Sequence, residues 1–340
     1  MKLDVNMPVE TGALPNISRI ACAAEELGFA GLWTNETKHD AFLPLVLAAE
    51  HSERIELGTA VAIAFPRSPM VTAQLAWDLA ALSHGRFLLG LGTQVKAHIE
   101  RRFGMTWDAP VARLRDYIAA LRAIWTSFQT GAPLRYEGRY YRHTLMMPFF
   151  NPGPIPHPEI PILIAGVNIG LAQLAGEVAQ GFHVHAFHSV RYVDEILKPA
   201  IAAGAGRANR EPSSVELVTS VFVITGSDVA ERERLRATVR EQIAFYASTP
   251  TYRSVLECHG WAEIGEELSR LAKRQQWAAM PALVDDAMLQ TFAVEAEPDE
   301  LGHALRQRYQ GVVDRLSLFL PFVPGERDAF WCATIRAIQG

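Results

Sequence analysis

The chain has 340 residues, 49% hydrophobic and 20% charged, with a formal net charge of −5 and 3 cysteines. This is ordinary globular composition, and an acidic balance with no basic run or interleaved aromatic patch excludes nucleic acid as an expected partner. Cys22, Cys258 and Cys332 are far apart and form no CxxC pair, which argues against a zinc site or a disulfide framework and for a reducing compartment, the cytoplasm by default.

The opening MKLDVNMPVE carries Asp4 and lacks an apolar core, so it does not read as a signal peptide. No apolar stretch of about 18 residues occurs, so no membrane-spanning helix is expected. Lys2–Met7 reads as the first strand. A helix follows over Asn16–Leu27, with Asn16 or Ser18 to cap it and Gly28 to end it. Cys22 lies on this helix as a small buried hydrophobe. Ala30–Thr34 is a second short strand, Ala41–Ser52 a helix, and Ile55–Ile63 a third strand. Met70–Ser83 is an apolar helix and Arg86–Leu91 a fourth strand, so strand and helix alternate as in a parallel sheet.

Pro110–Gln129 is an amphipathic helix with Leu114, Tyr117, Ile118, Leu121 and Trp125 on one stripe. Within the aromatic- and proline-rich segment 133–158, LRYEGRYYRH predicts a hairpin turning at Glu137–Gly138. The alternation resumes with a strand at Ile160–Ala165, a helix over Ile169–Ala179, a strand at Gly181–His185 and a helix over Val190–Ala203. Val215–Ile224 is a long strand, and Asp228–Ala247 a charged helix. Helical material follows near Trp261–Gln275 and Pro281–Met288, then a helix over Pro298–Tyr309. Arg315–Leu320 is the last strand and Asp328–Ile338 the closing helix.

Strands centred near residues 3, 31, 58, 88, 163, 183, 220 and 318 predict an α/β fold, a (β/α)8 TIM barrel. It forms one domain over 1–340, with insertions near 130–158 and 248–297. The rival is a doubly wound open sheet. Its G-x-G-x-x-G fingerprint is missing, because M-P-V-E-T-G follows the first strand.

In such a barrel, chemistry sits on the loops after the strands. Met7 and Pro8 follow the first, T-N-E-T-K-H-D (34–40) the second, and A-V-A-I-A-F-P-R (60–67) the third. G-T-Q-V-K-A-H (92–98) follows the fourth, A-G-V-N (165–168) the fifth, and His185 and His188 the sixth. The third loop is apolar, and the fifth sets glycine and asparagine before a helix whose free N–H groups can hold a phosphate. The pattern is a slot for a flat heterocycle with a phosphate-bearing tail.

G-F-A-G-L-W-T-N-E (28–36), R-I-E-L-G-T-A-V (54–61), H-G-R-F-L-L-G-L-G-T (84–93) and I-L-I-A-G-V-N (162–168) resemble the bacterial luciferase-like flavin and deazaflavin oxidoreductase superfamily. G-T-Q-V-K-A-H-x-E-R-R-F-G is similar to its coenzyme F420-dependent subgroup. The resemblance implies a non-proline cis peptide near Ala60–Val61 behind the deazaflavin ring. It also implies ring-edge contacts from Thr93, Gln94, Val95 and Lys96, and a phosphate held at Gly166, Val167 and Asn168. Such proteins are often dimers, and Leu75, Leu79 and Leu82 on one face of the Met70–Leu82 helix form a candidate patch for a homodimer.

The family carries an acidic residue followed by histidine after the second strand. Glu36 matches the acid, but Thr37 follows it and a histidine appears only at His39. Acid–base work then falls to Glu36, His39, Lys38 or His98. Glu36 is either a catalytic carboxylate or a helix N-terminal acid, and His39 either a general acid or a solvated loop residue. His98 and Lys96 either touch the cofactor or lie on the outer face of a helix.

Met7, Lys38, Trp107 and His185 are candidates for the substrate pocket, and Phe149 and Phe150 either wall it or bury loops. His183 and His185 share a strand face but have no carboxylate at ligand spacing, so no metal is expected. Arg67, Lys96, Arg101 and Arg102 offer positive charge to the acidic tail of F420, or, for Arg101 and Arg102, surface ion pairs. The implied activity is hydride transfer between F420 and a small organic substrate with a carbonyl, an alcohol or an activated double bond. The alternatives are an FMN-dependent monooxygenase of the same barrel and a non-catalytic flavin- or deazaflavin-binding protein.

Overall fold

The computed structural model describes residues 1–7 and 16–340; Pro8, named above at the first strand end, lies outside them. Among the described residues, eight parallel strands close into a barrel. They are β1 (Lys2–Asn6), β2 (Gly31–Thr34), β3 (Glu56–Thr59), β4 (Phe87–Gly92), β5 (Ile162–Gly166), β6 (Gly181–Val184), β7 (Glu216–Ile224) and β8 (Arg315–Leu318). Each pairs with the next, and Lys2↔Arg315 and Leu3↔Leu316 join β1 to β8, so no barrel edge stays open. Most barrel-strand residues are buried, which is why the strands read as apolar runs.

The third strand departs from its predicted span. It stops at Thr59, the Ala60–Val61 peptide is cis, and Ala62–Ile63 pairs separately with Leu91 and Gly92 of β4. A further short strand, Ala293–Glu295, pairs with Phe222–Ile224 at the end of β7.

The helices packed outside include α1 (Ile17–Leu27), α2 (Leu43–Glu50), α3 (Pro69–Leu82), α4 (Lys96–Arg101), α5 (Pro110–Thr130) and α6 (Ile169–Val178). Helix α1 ends at Gly28, whose φ of 95° suits glycine. Asn16 takes its N-cap position but makes no side-chain cap bond. Ser68 caps α3 by accepting from Val71 N, with Pro69 at the first helical position. Val71 and Leu82 of α3 are exposed, but Leu79, part of the expected dimer patch, is buried in the barrel's own core. Cys22 is half-buried rather than buried, with its Sγ 3.0 Å from the His51 carbonyl.

The predicted hairpin forms between Tyr136–Glu137 and Arg142–His143, but its turn spans Gly138–Tyr141, closed by Gly138 N donating to Tyr141 O. Asp116 of α5 fixes that turn by accepting from Tyr140 N and Tyr141 N. The second insertion follows α7 (Val229–Ala247) and is largely short helices, among them Arg253–Glu257 and Ala262–Lys273. No helix is long and apolar enough to cross a membrane among the described residues.

The barrel interior is filled by Trp33, Leu88, Leu163 and Val218. Beneath Trp33, Arg315 forks onto Asp4 with two 2.8 Å hydrogen bonds, and Trp33 Nε1 donates to the same carboxylate at 2.8 Å. This plug closes the bottom of the barrel and leaves the other end open.

Candidate cofactor and substrate cleft

The C-terminal strand ends surround a cavity of about 640 Å³, within the range of small-molecule sites, about 300–1,000 Å³. Trp33 and His183 lie at its floor. Ala60, Val61, Thr93, Gln94 and Val95 line it on the β3–β4 side, and Gly166, Val167 and Asn168 on the β5 side, with His185 and Glu36 also at its wall. The structure thus brings together most of the residues expected to contact a cofactor.

On the β3–β4 side the wall is backbone. Thr59 Oγ1 donates to Gly90 O and accepts from Gly90 N, at 2.7 and 2.9 Å, tying the end of β3 to β4. A Cβ at Gly90 would lie 1.8 Å from Thr59 O, so this approach requires glycine. Gln94 follows in the left-handed region, φ 60°, and its side-chain oxygen accepts from Val95 N. On the β5 side, Asn168 caps α6 by accepting from Leu171 N at 3.2 Å. The other first-turn amides of α6 have no acceptor within the helix and face an anion favourably. Tyr192 Oη donates to Val167 O at 2.7 Å and contacts Ser254 Oγ at 2.9 Å, propping this turn against the second insertion.

Glu36 reaches the cavity edge, but its carboxylate is engaged. Glu36 Oε2 accepts from Arg67 Nη1 and from Ile63 N, both at 2.7 Å. Arg67 Nη2 donates to Asp40, and Asp40 in turn accepts from Phe42 N and Leu43 N at the start of α2. Burial opposes the Arg67 charge, yet the bonds and charges of Glu36 and Asp40 outweigh it and raise its pKa. Glu36, expected as either a catalytic carboxylate or a helix N-terminal acid, instead clasps the loops after β2 and β3. Glu36→Gln is expected to cost about 2–4 kcal/mol of stability, because it weakens a mostly buried pair. Urea unfolding measures this, and an unchanged midpoint would return Glu36 to the acid–base candidates.

The remaining catalytic candidates stand elsewhere. Lys38 and His39 are exposed on the loop after β2 and do not line the cavity. Lys96 and His98 are exposed on α4, where Lys96 pairs with Glu100 at 3.8 Å, so neither contacts the cleft. Helix α4 starts one residue after Val95 and carries both side chains outward. Met7 packs against the core while Met7 N donates to Trp33 O, and Trp107 packs edge-on against Phe65 at 6.0 Å. Neither lines the cavity, and exposed Phe149 and Phe150 do not wall it. Arg102 donates to Thr37 O and lies over Phe103. Among the described residues no three His, Cys, Asp or Glu side chains converge on a metal position.

Sequence reading missed the polar floor. Asn6 Nδ2 donates to Ser220 Oγ at 3.0 Å and to Ser317 Oγ at 2.8 Å, and the two hydroxyls are 2.7 Å apart. A polar residue at an inward position near each strand end was the available signal. The end of α7 adds Phe245 and Tyr246 to the wall, and the second insertion adds Tyr252.

Three histidines cluster near β6. His183 stacks edge-on against Trp33 at 4.9 Å, and its Nε2 is buried without a partner among the described residues. Burial, with the Arg315 charge, holds its pKa down to about 3. His188 donates from Nδ1 to His185 O at 2.9 Å and accepts at Nε2 from Tyr309 Oη at 3.2 Å. Burial lowers it to about 4.

These features define a (β/α)8 barrel whose open end forms a cofactor-sized cleft with one backbone wall and one anion-receptive turn. The chain belongs to the luciferase-like monooxygenase family, whose pattern matches residues 2–315. It is 48% identical over 316 residues to an uncharacterized protein of Mycobacterium tuberculosis, covering 93% of this chain and 92% of that one. It is 30% identical over 307 residues to a second M. tuberculosis protein, named for coenzyme F420-dependent oxidoreductase activity, covering 82% and 85%. The coenzyme F420-dependent tetrahydromethanopterin reductase of Methanopyrus kandleri shares the fold, with a TM-score of 0.78 at 19% identity over 100% of this chain and 99% of that one.

Proposed function

We propose that this protein is an oxidoreductase that passes a hydride between coenzyme F420 and a small organic substrate. The observation that carries the reading is the cleft itself: the Ala60–Val61 wall, the β4 end and the α6 turn face one cavity. The F420-named relative supports this cofactor over others of the family.

The residues present fit such a group. Thr59 and Gly90 hold the two strand ends together, so Ala60 and Val61 offer a flat, preset surface to a ring. Gly166, Val167 and Asn168 would receive the phosphate, with Tyr192 fixing the Val167 carbonyl from behind. Bound there, the deazaflavin supplies hydride transfer. The chain's part is to orient the ring, exclude water with the aromatic wall formed by α7 and the second insertion, and hold the substrate. Because Arg67 is committed to Glu36 and Asp40, and Lys96 pairs with Glu100, the positive charge for an acidic tail is left to Arg101 and Arg102, exposed at the end of α4.

The family's monooxygenase members favour a second reading, reduced FMN in the same cleft. Titration of the purified apoprotein with F420 and separately with FMN, followed by fluorescence, decides between them. Tight binding of F420 alone is expected. Tight binding of FMN alone would replace the first reading with the second, and binding of neither would remove both.

A further inference from the structure

His185 stands on the cleft wall just past β6. Its Nδ1 accepts a hydrogen bond from Phe187 N at 3.0 Å. A ring nitrogen that accepts carries no proton, so the neutral imidazole has its proton on Nε2. Among the described residues no hydrogen bond reaches Nε2, and the half-buried ring leaves it open to the cleft. The ring is set between Tyr246 and Tyr252, each centroid 4.7 Å away, and the His185 carbonyl is held by His188 Nδ1. Burial and the neighbouring His188 lower the His185 pKa to about 4, so the ring stays neutral near pH 7. The result is one oriented N–H donor on a largely aromatic wall. In a desolvated cleft such a donor is satisfied by an acceptor on the bound molecule.

The charges around the cleft narrow that acceptor. Among the described residues lining it, Glu36 is the one carboxylate, and Arg67 and Ile63 N already engage it. No lysine or arginine lines it among the described residues. A cationic substrate would find no free carboxylate, and an anionic one no side-chain cation. We propose, building on the hydride-transfer reading, that His185 Nε2–H hydrogen-bonds the oxygen of a neutral carbonyl substrate, a ketone or an enone, and so sets substrate class. His185 is a substrate-contacting residue in this assignment, and the tyrosines on either side are its positioning residues.

The test uses the full-length protein labelled with 15N-histidine, with and without F420. Long-range 1H–15N spectra of wild type and His185→Phe assign the ring. The Nε2–H tautomer is expected throughout pH 6–8. Addition of 2-cyclohexen-1-one should move the His185 signals, whereas cyclohexene at the same concentration should not. Affinity for cyclohexenone should fall about 10-fold or more in His185→Phe and recover in part in His185→Gln, which keeps an N–H donor. An Nδ1–H tautomer, a charged ring at pH 6, no response to cyclohexenone, or an equal response to both probes would overturn the assignment. F420 titration of the same samples separates the two failures. If wild type binds no F420, the hydride-transfer reading falls; if both proteins bind F420 and cyclohexenone alike, only the His185 assignment falls.

Discussion

Lowering the pH from 7 to 5 is expected to remove roughly 6 kcal/mol of folding stability, through His183, His185 and His188. Their native pKa values are held to about 3, 4 and 4, against about 6.5 in the unfolded chain. Above the unfolded value both states are neutral and the three contribute no pH dependence. Below it the unfolded chain takes up protons that the native state refuses. The unfolded state then binds more protons, and stability falls as pH falls. Each histidine costs about 2 kcal/mol by pH 5, at about 1.4 kcal/mol per pH unit. Carboxylates titrate mainly below this window. Urea midpoints at pH 7, 6 and 5 measure the loss, and His188→Phe should flatten the slope by about one third. Coincident midpoints at pH 7 and 5 would mean that the native barrel accepts these protons without opening.

The eight strands were legible because parallel strands buried on both faces must be apolar throughout, and turn residues punctuate them. The break in β3 was not visible in the residues themselves, since A-V-A-I reads as uninterrupted strand; only family resemblance placed the cis peptide at Ala60–Val61. Glu36 illustrates a second limit. Its place at a strand end marked it as functional, but its partner Arg67 lies 31 residues on, and side-chain pairing between loops leaves no periodic trace. His39 and His98 were plausible by residue type, yet loop and helix orientation turn them to solvent. Asn6, Ser220 and Ser317 meet because β7, β8 and β1 are neighbours at the barrel seam. That closure register is a property of the whole sheet.

Arg315→Met is expected to destabilise the protein by about 3–5 kcal/mol. Arg315 is buried at 1% exposure, and its side chain is the floor of the barrel. It grips both Asp4 oxygens at 2.8 Å, bonds Glu56, and lies 5.3 Å from the Trp33 ring centroid. The neighbouring strand leaves room for it: a Cβ at Gly31 would lie 2.5 Å from an Arg315 guanidinium nitrogen. Methionine fills much of the volume but leaves Asp4 charged in the interior, with the Trp33 N–H as its remaining side-chain donor. The cost is therefore mainly an unpaired buried charge, not lost packing. The companion Asp4→Leu/Arg315→Met variant removes that charge and should recover more than half of the loss. The same pair reports on the cleft. Trp33 forms its floor and keeps its bond to Asp4 in the single variant, but Arg315 no longer fixes that carboxylate, so cofactor affinity should drop together with stability. In the double variant Trp33 Nε1 loses its Asp4 acceptor as well, so stability should recover further than affinity. Recovery of both in step would show that the ion pair supports the barrel alone, and a single variant as stable as wild type would mean that water reaches Asp4 through the barrel floor.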